Sequence, residues 1–318
     1  MSRTFHLPDV DCVVVNRDGG DSLFAALRSL QAQEGIDLSI VVVDNGSRPA
    51  ERERLGRETP SVRVVSFSRN LGFAAAANEG IARTRAAFVL LVNNDAILSP
   101  DYAAHLAARL ALDDRLAAVQ GLVLTADGGA VDTAGLAWNP RGEAVPVLAG
   151  ARAEQRPDEA FEVSGVSATA ALYRRDALAS LAPQGEVFDR SFFAYYEDVD
   201  LSLRLARAGW RFACEPRALA RHEGARTGRR TPMRRAFWTA RNRWRTLFSN
   251  FDPHLLAGSA AALLRADIAH ARALGWKGAA VPLLVWPMLP GIALRRRGAE
   301  RRLSSWPAPP SAVSGSGS

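Results

Sequence analysis

A chain of 318 residues and 34.2 kDa has room for one large domain or two modest ones. Hydrophobic residues make up 48% and charged residues 23%, which rules out wholesale disorder and a multispan membrane protein. The net charge is +7, and it is localised: residues 217–249 hold ten Arg against one acid, Glu223, leaving the rest of the chain at 30 basic against 32 acidic. Residues 295–302 (RRRGAERR) add five Arg against one Glu. C-terminal basicity of this kind points to a phosphate-rich partner, whether nucleic acid, an anionic membrane or a lipid pyrophosphate. Two cysteines, Cys12 and Cys214, are too few for a disulfide scaffold or a thiolate zinc cluster. The opening MSRTFHLPDVDC has no apolar stretch after its basic residue, so a secretory signal is not expected and the cytosolic side is.

The first half alternates strand and helix. Val10–Val15 is an apolar run ending in the turn Asn16-Arg17-Asp18-Gly19-Gly20, after which Leu23, Ala26, Leu27 and Leu30 recur at helical spacing. Leu38–Val43 stops at Asp44-Asn45-Gly46-Ser47, and Val62–Phe67 leads through Asn70-Leu71-Gly72-Phe73 into an Ala-rich helix, Ala74–Arg83. Ala87–Val92 is the fourth strand and ends at Asn93-Asn94-Asp95. Strands continuous in Val, Ile and Leu are buried on both faces, and βα alternation implies a parallel sheet, so the fold class is α/β.

The stretch 116–172 reads as short strands and loops, with Trp138, Pro140 and Pro146 among them. Ser164–Tyr173 is a small-residue strand, Gly165 included, that lets something approach closely. Acids Glu197, Asp198 and Asp200 open a helix with Leu201, Leu205 and Ala208 on one side, Gly209 ends it, and Trp210–Cys214 is a strand. After Pro232 the pattern is helical to about Leu274, with Gly275 as the stop. Residues 278–294 carry no charge but are only 17 long and contain Pro282, Pro287 and Pro290. A spanning helix wants about 20 apolar residues, so an interfacial or re-entrant segment flanked by arginines is favoured over an apolar helix packed on the main domain.

In an open parallel sheet, ligands bind outside the carboxyl ends of the strands. Four polar clusters gather there, at Asn16, Asp44, Arg69-Asn70 and Asn93-Asn94-Asp95; any one alone is an ordinary turn. The first turn, NRDGGD, does not match the G-x-G-x-x-G of nicotinamide sites, and no Walker loop occurs. Bound phosphates would need another neutraliser, and a divalent metal is the obvious one.

VVVNRDGG, VVVDNGS, SRNLGFAAAANEG, LLVNNDAIL and YYEDVDLSLRLARAGW, in that order, resemble the family 2 glycosyltransferases, nearest their bacterial rhamnosyltransferase-like branch. The resemblance covers about residues 9–245. It implies a GT-A fold: a nucleotide-sugar-binding half over 1–95 and an acceptor-binding and catalytic half over 96–230; the helical pattern, the uncharged segment and the composition of the end add a helical membrane-proximal extension over 231–302 and a flexible tail over 303–318. It also implies an inverting hexosyltransferase that uses a nucleotide-diphospho-sugar and Mg²⁺ or Mn²⁺.

Carried over block by block, Asn16, Arg17 and Asp44 would line the base and ribose pocket, and Arg69, Asn70, Gly72 and Asn78 the loop and helix over the nucleotide; close packing is the competing reading for Gly72. Asn93-Asn94-Asp95 stands where the family has D-x-D, with Asn for the first acid. Asp95 is then the metal ligand, while Asn93 and Asn94 hydrogen-bond ribose or sugar. Glu197-Asp198 matches the family's E-D pair. Inverting transfer needs a carboxylate opposite the leaving diphosphate, which makes Asp198 the base. Glu197, Trp138 and Gly165 fall on the acceptor side, and Asp200 is an ordinary acid of a helix start. His222 resembles the His that completes the metal site, and Arg226, Arg229 and Arg230 could clamp a diphosphate.

The leading expectation is transfer of a sugar, L-rhamnose from dTDP-rhamnose foremost, to a saccharide or polyprenyl-linked acceptor at the cytoplasmic face of the inner membrane, in cell-surface polysaccharide synthesis. The enzyme would be peripheral on an anionic membrane surface. Its rivals are the same chemistry with a UDP-sugar, a nucleotidyltransferase lacking its usual phosphate loop, and an inactive lipid-binding scaffold. A nucleic-acid partner is not expected, because the Arg-rich stretch lacks the motif order of such domains.

Overall fold

The computed structural model describes residues 8–139, 141–181, 186–223, 232–294 and 302–307. The alternating first part comprises β1 (Val10–Asn16), α1 (Asp21–Gln31), β2 (Leu38–Asn45), α2 (Pro49–Glu58), β3 (Arg63–Phe67), α3 (Phe73–Ala82) and β4 (Phe88–Asn93). These four strands are parallel, with β1 between β2 and β4 and β3 on the outer side of β2. Cys12, Val13 and Val14 of β1 and Leu90, Leu91 and Val92 of β4 are at most 2% exposed, as strands covered on both faces must be. Edge strand β3 leaves Arg63, Val64 and Ser66 exposed. Helix α2 has no counterpart in the sequence reading, because Leu55 is its one buried residue and so no apolar period exists to be seen.

The chain continues through β5 (Ala96–Leu98), α4 (Tyr102–Ala111), β6 (Leu116–Thr125), β7 (Val131–Thr133), β8 (Leu136–Asn139), β9 (Glu143–Pro146), β10 (Phe161–Val163), β11 (Ala170–Arg174), α5 (Arg175–Leu181), α6 (Glu197–Arg207) and β12 (Arg211–His222). The main sheet runs β10-β12-β6-β11-β4-β1-β2-β3, with β5 on β12 and β7 on β6; β8 and β9 form a separate hairpin. Strand β11 is antiparallel to both its neighbours, so the sheet is mixed and mostly parallel. It passes the expected boundary at residue 95 without a break.

Three elements differ from expectation. Residues 116–125 form a long buried strand, disguised in the sequence by Ala117, Ala118, Gln120 and Gly121. Strand β12 runs on past Cys214 to His222: Pro216 cannot donate to a ladder, so residues 216–218 bulge out between Glu215, opposite Gly121, and Leu219, opposite Leu122. Of Ser164–Tyr173, only the part from Ala170 is strand.

One face of the sheet packs on α3, α5 and α6, and the other on α1 and α4. Helix α6 is buried on two sides: Leu201 and Leu205 face the sheet, while Val199 and Leu203 face a third core made with the C-terminal helices. Those helices are α7 (Pro232–Asn250) and α8 (Pro253–Ala273). The helical stretch expected from Pro232 to about Leu274 is made of these two helices, divided where the Asp252 carboxylate accepts the His254 N–H at 2.7 Å. A helical arm over Trp276–Leu294 follows, with 3₁₀ turns at Trp276–Ala279 and Trp286–Met288. Its Val281, Val285 and Ile292 are buried while Trp276, Leu283, Leu284 and Leu294 are exposed, so the arm both packs on the body and leaves an apolar face outside. Buried Asp267 of α8 ties this extension together by accepting from Arg243 (2.8 Å), Trp244 (2.8 Å) and Trp286 (2.9 Å).

Candidate active site

The carboxyl ends of β1, β2 and β4 bring the first polar clusters together. Asn16 is fully buried, and its Oδ1 accepts from the Gly19 N–H at 3.2 Å and from Asn94 Nδ2 at 2.8 Å, which binds the first turn to the Asn-Asn-Asp turn. Asp44 is also fully buried, yet among the described residues neither carboxylate oxygen accepts a hydrogen bond, and Arg52 Nε stands 3.8 Å from Oδ2. A buried carboxylate without donors is costly unless something supplies them, and a base N–H or ribose hydroxyl would. Asn45 Oδ1 accepts the Leu71 N–H at 2.8 Å, and its Nδ2 donates to Asn70 Oδ1 at 3.0 Å, so the loop after β3 is folded over the end of β2. Gly46 (φ 74°) permits this approach: a Cβ there would sit 2.4 Å from the Arg69 carbonyl carbon.

Asp95 follows β4 and is 8% exposed. Its Oδ1 lies 3.2 Å from His222 Nε2, while His222 Nδ1 lies 2.9 Å from Asp132 Oδ2. Burial alone would lower the His222 pKa, but hydrogen bonds to Asp132 and Asp95, with their charges, push it up to about 9. Asp132 has no motif around it. The register of β7 against β6 slips at this residue, Val123 facing Thr133 and Leu124 facing Val131, and a bulge re-aims a side chain in just this way. Among the described residues, no group of three or more His, Cys, Asp or Glu is arranged to enclose a metal.

Glu197 and Asp198 open α6. Asp198 Oδ2 accepts the Ala168 N–H at 3.2 Å and Oδ1 its neighbour Val199 N–H at 2.8 Å. Thr169, next in the chain, accepts the Asn93 N–H at 2.8 Å, so Asp198 and the Asn93–Asp95 turn meet on two consecutive residues. Burial raises the Asp198 pKa against the pull of those backbone donors. Glu197 is buried with Oε2 unpartnered, and burial and the Asp198 charge push it up to about 8. The preceding loop is strained: Phe193, Tyr195 and Tyr196 have φ of 68°, 71° and 70°, sparsely populated values that cost a non-glycine residue of order 1–3 kcal/mol each. Gly72 (φ 89°) is where this loop touches the turn between β3 and α3, since a Cβ would lie 2.4 Å from the Phe193 carbonyl oxygen. Close packing is thus the role the geometry gives Gly72.

Other expected residues are placed differently. Both ends of the Asn78 amide are spent on the backbone of Val187 and Phe188, at 2.8–3.1 Å, which makes it a strut. Trp138 is not an open acceptor wall: it is 6% exposed, edge-on to Phe251 at 5.2 Å and stacked on Trp306 at 6.1 Å in the third core. A Cβ on Gly165 would meet Ser202 Cβ at 2.7 Å, so its smallness admits α6 and not an acceptor. Asp200 is no mere helix-start acid; it is buried and bound by Arg204 Nε at 2.8 Å and Asn250 Nδ2 at 2.9 Å. Arg17 and Arg69 are exposed at the rim of the site. Arg226, Arg229 and Arg230 lie outside the described residues. A broad cavity lined by Asp11, Asp37, Arg63 and Arg85 occupies the opposite edge of the sheet and holds none of these groups.

Residues 11–181 match the model of the glycosyl transferase family 2, and the chain belongs to that family. It is 27% identical over 246 residues to the N-acetylglucosaminyl-diphospho-decaprenol L-rhamnosyltransferase of Mycobacterium tuberculosis, covering 69% of this chain and 78% of that one. It is 33% identical over 96 residues to the succinoglycan biosynthesis protein ExoO of Rhizobium meliloti, a match spanning 30% of this chain and only 28% of that protein. Its fold is similar to GalNAc-T7, solved with UDP, GalNAc and Mn²⁺ (TM-score 0.62, 14% identity, 81% of this chain and 51% of that one). It is also similar to the mannosyltransferase PcManGT of Pyrobaculum calidifontis, solved with GDP-Man and Mn²⁺ (TM-score 0.56, 18% identity, 91% and 86%). The mixed sheet is that of a GT-A glycosyltransferase, and the enzyme is a glycosyltransferase.

Proposed function

We propose that this enzyme is an inverting, metal-dependent transferase that moves L-rhamnose from dTDP-rhamnose to a polyprenyl-diphosphate-linked saccharide at the cytoplasmic face of the membrane. The observation that carries the reading is the junction at Ala168–Thr169, where the Asp198 carboxylate and the backbone of Asn93 are held by consecutive residues. A base and a donor-side turn must be this close for one hydroxyl to be deprotonated as it attacks. Likeness to the mycobacterial L-rhamnosyltransferase over 69% of the chain supports the donor and the lipid-linked acceptor.

The nucleotide would lie over Asp44 and Asn16, its base or ribose supplying the donors that the Asp44 oxygens lack. Asp95 and His222 would hold a divalent ion that keeps several waters and takes its other ligands from the diphosphate: Asp95 Oδ1 and His222 Nε2 stand 3.2 Å apart with Asp132 behind the ring, and the ion would take the place of the proton they share. Bound there, Mg²⁺ or Mn²⁺ would neutralise the charge gathering on the departing diphosphate. Asp198 accepts the proton of the acceptor hydroxyl while that oxygen bonds the anomeric carbon from the face opposite the diphosphate, and the bond to the diphosphate oxygen breaks. Burial and the Asp198 charge raise the Glu197 pKa, which favours a protonated Glu197 that adds no second charge and donates a hydrogen bond to the acceptor.

Membrane contact is supported by the 19-residue Trp276–Leu294 arm, in which an 18-residue stretch has mean hydropathy 1.4 and is only 28% buried. Exposed Trp276, Leu283 and Leu284 near Lys277 and Arg272 combine apolar insertion with attraction to anionic headgroups. The test is transfer from a panel of dTDP-, UDP- and GDP-sugars to an N-acetylglucosaminyl-diphospho-polyprenol with Mn²⁺ present. Rhamnosylated lipid is the expected product. Turnover confined to a UDP-sugar would replace the donor, and nucleotide release from none would overturn the reading.

A further inference from the structure

Asn242 belongs to none of the motifs above, and the arginines around it read as phosphate-seeking. It lies on α7, is fully buried, and its Nδ2 faces three carbonyl oxygens of the strained loop: Phe192 at 2.9 Å, Ala194 at 2.8 Å and Tyr195 at 2.7 Å. Its orientation is forced, because Oδ1 accepts from the Arg241 guanidinium at 2.7 and 3.0 Å while the three loop atoms can only accept. Arg241 Nη2 adds bonds to the Ser191 and Phe192 carbonyls at 2.6 and 3.2 Å. About two turns along the same helix, Asn250 grips Asp200 at 2.9 Å and accepts from Arg207 at 3.0 Å.

We infer that Asn242 is a positioning residue for the base: α7 holds the 192–196 loop, with Phe193, Tyr195 and Tyr196 at positive φ, in the conformation from which Asp198 is presented. The inference rests on reading Asp198 as the base. Three non-glycine residues with positive φ in a stretch of four persist only where the surroundings over-determine them. Tyr196 is the N-cap of α6 and has no side-chain cap of its own, so the direction in which the helix starts is set by the loop. Released from Asn242, Phe193 and Tyr195 relax towards negative φ, and the rotation is passed through Tyr196 to Glu197 and Asp198. The C-terminal extension is thus part of the active site's framework as well as the bearer of the apolar arm.

The experiment is a double-mutant cycle on the full chain with Asn242→Ala and Asp198→Asn, reading transfer from dTDP-rhamnose, dTDP binding by calorimetry, and melting. Asn242→Ala is expected to stay folded, to bind dTDP as wild type does and to lose kcat by about 10²-fold, the usual cost of a misplacement near 1 Å. Adding Asp198→Asn to it should then cost far less than Asp198→Asn costs alone, because both act through one carboxylate. A full multiplicative loss in the double variant, or wild-type kcat in Asn242→Ala, would overturn the inference. Asp198→Asn transferring normally by itself would overturn the base reading first, and this one with it. Should Asn242→Ala not fold, Asn242→Asp keeps the size and the acceptor for Arg241 but has no N–H to donate, and the same cycle is read on it. If neither variant folds, the amide holds the fold and not the base, which also overturns the inference.

Discussion

His222 Nε2 lies 3.2 Å from Asp95 Oδ1, although β6 and β11 stand between their strands in the sheet. The contact exists because β5 turns back at once after Asp95 and pairs antiparallel with β12, Ala96 opposite His222. The bulge at Pro216 does not end β12: pairing with β6 resumes at Leu219 and runs on to His222, opposite Thr125. Two residues far apart in the chain are therefore set side by side by backbone pairing, before any ligand arrives.

Asp95→Ala is expected to abolish the metal dependence of nucleotide binding. Calorimetry with dTDP in Mn²⁺, with and without EDTA, should show a large EDTA effect in the wild type and none in the variant; equal affinities throughout would remove the metal assignment. On the same site, Asp132→Asn should weaken Mn²⁺ binding by roughly 10–100-fold, read by electron paramagnetic resonance without nucleotide, because the ring of His222 loses its fixed orientation.

The strand-end clusters were legible because each lies within a few residues of an apolar run, so Asn16, Asp44 and Asp95 could be put on one edge from periodicity alone. Asp132 and Asn242 could not. Asp132 acts through a register slip on a three-residue strand, and Asn242 sits among arginines that dominate its composition. The packing of Trp138 is hidden for a related reason: its partners Phe251 and Trp306 are more than a hundred residues away, and nothing local marks a tryptophan as part of a core. Pattern shows what a residue can do; long-range packing decides what it does.

Asp44→Asn should raise stability in the absence of ligand while weakening dTDP binding. The wild-type carboxylate is buried without a donor, and an amide carries no net charge into that position. Melting curves with and without dTDP test this: the variant should melt higher than the wild type alone and gain less from nucleotide. A variant that melts lower in both conditions contradicts it.

Stability should fall as pH rises through the range set by Glu197. Its folded pKa is raised from 4.5 to about 8, so the folded state keeps a proton that the unfolded state gives up. The corresponding stabilisation is full below about pH 4.5 and is lost as pH climbs through about 8, a change on the order of a few kcal/mol. Glu197→Gln removes this dependence, so wild type should lose melting temperature relative to the variant between pH 5 and pH 9. Parallel curves would show that Glu197 is ionised in the fold.

Leu283→Glu combined with Leu284→Glu should release the enzyme from anionic vesicles without unfolding it, because both side chains face outward whereas Val281 and Val285 hold the arm to the body. Cosedimentation with vesicles containing phosphatidylglycerol measures the effect. Undiminished binding would show that the arm is not the membrane contact.

In the proposed reaction Asp198 takes the acceptor's proton. The direct test compares sugar transfer by Asp198→Asn and Glu197→Gln at saturating donor, with donor affinity measured beside it. Asp198→Asn should bind donor as wild type does and lose kcat by about 10²–10⁴-fold, the usual worth of a positioned base, while Glu197→Gln keeps most of its rate. Near wild-type transfer by Asp198→Asn, with Glu197→Gln inactive, would contradict the account and assign the base to Glu197.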